Sequence, residues 1–108
     1  MDRRIGSRAQ VDFPVGAFVD GFRHDCRAVD LSPTGMVLMR GRSLRLRPVP
    51  WLNELELLWD SQRIDVCART VWTKGHLHAV RFVIMQDVDR LEIAERLDDM
   101  LRRKQTLH

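Results

Sequence analysis

The residues of this 108-residue chain best equipped for chemistry fall in two short runs. Arg3, Arg4 and Arg8 crowd the beginning, with Arg4-Ile5-Gly6-Ser7-Arg8 spaced as RxxxR. A guanidinium can donate two parallel hydrogen bonds to phosphate oxygens or to the O6 and N7 edge of guanine, and it can stack on a purine face. The second run is Asp30-Leu31-Ser32-Pro33-Thr34-Gly35, which fits Asp/Asn-x-Ser-x-x-Gly. Its carboxylate can accept bonds from a guanine N1–H and N2–H₂ edge. Ser32 offers a short hydroxyl, and Gly35 permits a backbone conformation or a close approach that a side chain would block. Trp72 suits either an aromatic wall for a base or a place in the core. A second basic stretch, Arg40, Arg42, Arg45 and Arg47, reads as solvated surface charge. Lysine occurs only at Lys74 and Lys104, so nearly all the positive charge is guanidinium, while the net charge is just +3. This balance permits a nucleotide ligand or a nucleic acid without choosing between them.

The elements that must position these groups are mostly strands. Phe13-Pro14-Val15-Gly16 predicts a strand break and a turn. Phe18–Val29 reads as one imperfectly alternating strand, with Phe22, His24, Cys26 and Ala28 on one face. Asp30–Gly35 is a turn cluster, and Met36–Met39 is a short apolar strand. Leu55–Trp59 and Ile64–Thr73 form a hairpin around Asp60-Ser61-Gln62, with Val66, Ala68, Thr70 and Trp72 sharing a face. A turn at Lys74-Gly75-His76 leads to a strand over His78–Met85. Such regular spacing argues for a barrel or a sandwich. The final segment has helical period instead, with Val88, Leu91, Ala94, Leu97 and Leu101 as its apolar stripe and Asp87 as its cap. Glu92–Arg96, Asp98–Arg102 and Asp99–Arg103 add i,i+4 pairs. The stripe packs on the barrel or, alternatively, on a second copy as a homodimer.

The two motifs, in this order and separated by strands, resemble the cyclic di-GMP signature of PilZ domains. Val71-Trp72, the following turn, Ala79-Val80-Arg81-Phe82 and the closing helix resemble that family's later elements, so the similarity spans nearly the whole chain. The resemblance implies a six-stranded antiparallel β-barrel of split-barrel type with a C-terminal helix. It divides the chain into an arginine-rich arm over 1–9, a barrel over 10–86 and a helix over 87–108. It implies Arg4, Arg8, Asp30, Ser32 and Gly35 as contacts to cyclic di-GMP. Arg3, directly before RxxxR, occupies a place that the family associates with two stacked ligand molecules. Ala79 departs from the glycine frequent in the family at that position.

Composition and motif content narrow the alternatives. No nucleophile motif or phosphate-cradling loop is present, and the spacing of His24, His76, His78, Cys26 and Cys67 matches no standard zinc pattern, so no enzyme and no metal site are expected. Two cysteines suit buried thiols in a reducing cytoplasm. Met1-Asp2-Arg3-Arg4 has no apolar stretch after it, and no apolar run reaches membrane-spanning length. A PilZ-type module that binds only protein is the main rival, against which the intact motifs argue. A basic barrel for nucleic acid ranks below it, because aromatic residues are not interleaved with the basic ones. A receptor of this size acts through a partner protein, with motility, pilus function, exopolysaccharide or development as the outputs.

Overall fold

The computed structural model describes residues 8–41 and 44–106. Six strands, β1 (Ala9–Val19), β2 (Phe22–Ser32), β3 (Gly35–Met39), β4 (Leu52–Trp59), β5 (Gln62–Lys74) and β6 (Leu77–Ile84), precede one helix, α1 (Asp87–Thr106). The strands close into an antiparallel barrel in the order β1-β2-β3-β6-β5-β4. Two three-stranded meanders, β1–β3 and β4–β6, are joined edge to edge by the β1–β4 and β3–β6 pairings. Closure leaves no open sheet edge.

Two local expectations are corrected. The stretch read as one strand over Phe18–Val29 is two, because Asp20 (φ 52°) and Gly21 (φ 82°) form a two-residue hairpin turn. Positive φ at both central residues matches the twist of the flanking strands, and Asp-Gly is a favoured pair for it. Conversely, β1 runs straight through Pro14. Pairing of β1 with β4 begins only at Val15, so Pro14 lies where β1 is paired with β2 alone and a missing N–H is tolerated. Ala9, assigned to the arm from sequence, is the first residue of β1 and stands opposite Leu31.

The barrel is filled by alternate residues of each strand, among them Val15, Leu38, Leu55, Leu57 and Ile64, and both ends are plugged. At one end the link between β3 and β4 inserts Leu44 and Leu46. That link is held by buried Asn53, whose Oδ1 accepts from Arg47 N at 2.7 Å and whose amide donates to Arg47 O at 3.2 Å. Arg40 donates to Leu44 O at 2.7 Å, and Arg47 pairs with Asp20 at 3.0 Å. Arg40 and Arg47 therefore tie down a loop instead of being merely solvated.

At the opposite end α1 inserts Ile93 and Leu97, both fully buried. The carbonyl of Gln86 accepts from Asp89 N and Arg90 N, so Gln86 is the cap and Asp87 the first helical residue. The buried stripe is also rotated from the expected one. Val88 and Leu91 are exposed, whereas Ile93 joins Ala94 and Leu97 inside. Arg96 does not take up the expected pairing with Glu92. It lies over the Trp59 ring, 4.2 Å from the centroid, and donates to Asp60 Oδ2 at 2.9 Å. Asp98–Arg102 and Asp99–Arg103 form as expected, at 3.3 and 3.0 Å. No described helix is long and apolar enough to cross a membrane.

Candidate functional site

The β2–β3 turn is built by its own side chain. Ser32 is buried, and its Oγ accepts from Gly35 N at 3.1 Å and Thr34 N at 3.3 Å while lying 3.2 Å from Gly35 O as a donor. This arrangement closes the four-residue turn from within. The turn is then pinned to the next wall of the barrel, where Phe82 N donates to Thr34 O at 2.8 Å. Gly35 faces that wall without room for a side chain, since a Cβ there would collide with the carbonyl oxygen of Val80. Ser32 and Gly35 thus shape the loop, and the glycine is required by the approach of β6.

Two β-bulges decide which side chains reach the outer surface. In β2, Val29 is an extra residue between the pairs Ala28–Leu38 and Asp30–Val37. The alternation is shifted by one, so Ala28 and Leu31 both enter the core and Asp30 is turned outward. In β5, Val71 is extra between Thr70–Val80 and Trp72–Ala79. Simple alternation placed Trp72 with Val66, Ala68 and Thr70. The bulge instead puts Trp72 on the outside, 44% exposed, which excludes the core-tryptophan reading.

These devices converge on one cleft of about 460 Å³, on the outer face of β3, β6 and β5. Arg8, Ser32, Gly35 and Trp72 line it together with Thr34, Val71, Ala79 and Arg81. Asp30 adjoins it through Arg8, whose Nε lies 3.5 Å from Asp30 Oδ1. That carboxylate oxygen is buried and, beyond this long ion pair, has no hydrogen-bond partner among the described residues, so its acceptor capacity is unused. Arg3 and Arg4 lie outside the described residues. The volume falls within the roughly 300–1,000 Å³ common for small-ligand sites.

Arg81 and Val71 were missed as cleft residues in the sequence. Arg81 stands between core-facing Val80 and Phe82, a pattern that marks it as outward. Nothing in the sequence said that β6 would lie beside β3 and the motif turn. Ala79 is on the cleft floor opposite Trp72. Another concavity, of about 480 Å³, involves Phe18, Cys67, Ile84 and Met85. Its one cation, Arg63, is already paired with Glu56 and Asp65 at 3.1 Å, so it offers an anion much less.

The thiols stand apart from this chemistry. Burial, assisted by Asp25, pushes Cys26 up to about 11, and burial also raises Cys67. Neither has the character of an activated nucleophile. Among the described residues, no three His, Cys, Asp or Glu side chains are grouped to hold a metal ion.

No protein-family model matches the chain, and no curated protein matches it by sequence. Solved structures do match by fold. The inhibitor of motility MotI/DgrA of Bacillus subtilis superposes with a TM-score of 0.74 at 10% identity, over 93% of this chain and 50% of that one. This chain therefore spans about half the length of MotI/DgrA. The PilZ domain of CeSA from a cellulose-synthesizing bacterium superposes with a TM-score of 0.63 at 18% identity, over 88% of this chain and 97% of that domain. The barrel is PilZ-like. An uncharacterized Legionella protein, Lpg0364, has the same fold, with a TM-score of 0.60 at 13% identity over 91% of this chain and 97% of that one. Within this PilZ-like domain, Arg8, the one described arginine of the RxxxR run, lies in the same region of the surface as the β2–β3 turn of the Asp-x-Ser-x-x-Gly run.

Proposed function

We propose that this PilZ-like domain is a receptor for cyclic di-GMP that hands its ligand state to a partner protein. The observation that carries the reading is the convergence of Arg8, Trp72 and the Ser32–Gly35 turn on one cleft, beside a buried Asp30 oxygen without a hydrogen-bond partner among the described residues. Each has a role in recognising a guanine dinucleotide. Arg8, joined by Arg4 from the arm, clamps phosphate or the guanine O6/N7 edge. Asp30 accepts from the guanine N1–H and N2–H₂ groups, exchanging its distant Arg8 contact for shorter bonds. Trp72 supplies a face on which a base stacks. Ser32 and Gly35 keep the turn narrow so that its backbone meets the ligand. With Arg3 included, the site has cations for two stacked molecules.

The domain binds and signals without catalysis, in the bacterial cytoplasm. A motility or exopolysaccharide output is favoured by the neighbours, one an inhibitor of motility and another a domain from a cellulose-synthesizing bacterium. Calorimetric titration of the chain with cyclic di-GMP tests the reading. Saturable binding at two molecules per chain is expected, with a shift towards one in Arg3→Leu. An absence of heat and of any thermal stabilisation by the ligand would overturn it and leave a module that works through protein contacts alone.

A further inference from the structure

On the outer face of the barrel Arg69 of β5 stands directly opposite Arg81 of β6, and Arg81 in turn stands opposite Gly35 of β3. Opposed residues of an antiparallel pair hold their Cβ atoms about 4.5–5.5 Å apart, and like charges so placed repel. Both arginines are exposed, and neither forms an ion pair or a side-chain hydrogen bond among the described residues. Their surroundings offer little compensation. The nearest acid in register is Glu54, diagonal to Arg69, and no ion pair joins the two. Several other exposed arginines do find acids, as Arg23, Arg27, Arg47 and Arg63 each do. An unrelieved pair of guanidiniums is therefore a local exception, and it adjoins the candidate cleft, which Arg81 lines.

We infer that Arg69 and Arg81 form a second phosphate clamp, so that the cleft grips the two phosphates of one cyclic dinucleotide at opposite edges. The inference rests on the cyclic di-GMP reading and adds residues outside both sequence motifs. Arg8 stands at one edge beside the β2–β3 turn. Gly35, bare of a side chain, lets the backbone of Val80 and Arg81 come close against that turn. Arg69 lies one strand further on. A phosphodiester presents two non-bridging oxygens, and one guanidinium on each matches that geometry while relieving the repulsion between the arginines. The clamp selects a ligand with two separated phosphates over a mononucleotide, because a single phosphate engages only one edge.

The test uses Arg81→Gln, Arg69→Gln and Arg69→Glu in the full chain, titrated with cyclic di-GMP and melted without ligand. Each glutamine variant should lose about ten-fold to a hundred-fold in affinity, as expected for charge-assisted bonds removed. Its ligand-free midpoint should stay level or rise, because a like-charge contact is gone. Arg69→Glu replaces repulsion with attraction to Arg81, and should raise the midpoint while binding more weakly still. Arginines with a structural role would instead give lowered midpoints. If the parent binds cyclic di-GMP and all three variants bind it equally well, the clamp is wrong and the receptor reading stands. If the parent itself does not bind, the clamp and the reading fall together.

Discussion

Ser32 and Gly35 share a motif with Asp30, yet they contribute to a different link of the chain from sequence to function. Ser32 Oγ satisfies the amides of Thr34 and Gly35, and Gly35 makes room for the Val80 carbonyl, so both act on stability first. Gly35→Ala must displace backbone, at about 1–3 kcal/mol. Ser32→Ala leaves two amides without their acceptor, at a similar cost of about 1–3 kcal/mol. Urea denaturation of both variants should show these losses before any ligand is added. Arg8 and Asp30 should behave in the opposite way. Their contact is long and its Arg8 side is exposed, so it is worth no more than about 1 kcal/mol, and Arg8→Ala and Asp30→Ala should denature close to the parent. Both should nevertheless bind cyclic di-GMP at least ten-fold more weakly. Asp30→Asn should keep part of the binding, since its amide oxygen still accepts. Equal affinity in the Arg8 and Asp30 variants would remove these residues from the site. The sequence showed which residue types gather here, but it did not separate those that hold the turn from those that face the cleft. That division depends on which amides fall within reach of Ser32.

At the scale of elements, alternation was legible and its interruptions were not. The inward positions of β5 follow from Ile64, Val66 and Ala68 at a period of two, until the extra Val71 shifts the phase and turns Trp72 out. A bulge of this kind leaves no residue-type mark, because valine suits a paired and an unpaired strand position alike. The Asp20-Gly21 turn did carry its mark, an Asp-Gly pair between apolar runs. It was obscured by the apparent alternation continuing through it. Strand β6 carries a further consequence in His78, which is buried beneath the β3–β4 link. Thr70 donates its hydroxyl to Arg47 O at 3.0 Å and so accepts from His78 Nε2–H at 2.8 Å, leaving Nδ1 bare and without a partner among the described residues. Burial, with Arg40 nearby, lowers the His78 pKa below its ordinary 6.5. The folded protein therefore holds this imidazole neutral, whereas the unfolded chain protonates it once the pH falls below about 6.5. Stability from this group is complete above that value and declines as the pH drops towards the folded pKa, by at most about 1.4 kcal/mol per pH unit. Denaturation at pH 7.5 and 5.5 should show a loss that is smaller in His78→Gln. An identical pH dependence in parent and variant would assign the loss to other groups.

For the molecule as a whole, the barrel and the helix form a single hydrophobic core. The fold class was readable because strand spacing, turn residues and one helical period all agreed, and three structures at 10–18% identity have the same architecture. What stayed hidden was the face by which α1 joins the barrel. Val88 and Leu91 have the right period but stay exposed, whereas Ala94 and Leu97 of the same stripe are buried and are joined by Ile93, one position around the helix. Where two overlapping stripes are both apolar, the shape of the opening chooses between them. Arg96 supports the chosen rotation by bridging Trp59, Asp60 and Gln62 around the β4–β5 turn. Leu97→Ala should then destabilise the entire domain by about 2–5 kcal/mol, since it opens a cavity among strand residues. Leu91→Ala, at an exposed site, should stay within about 0.5 kcal/mol of the parent. Far-UV circular dichroism and tryptophan emission, to which buried Trp59 contributes, should report one coincident transition in both variants. A separate helical transition in Leu97→Ala would mean that α1 unfolds from an intact barrel. The β2–β3 turn and α1 lie at the same end of the barrel, so a helix that melts with the strands is held in register with the cleft. A partner that docks on α1 would then read a surface fixed relative to the ligand, whereas a helix that melts alone would have to signal by detaching.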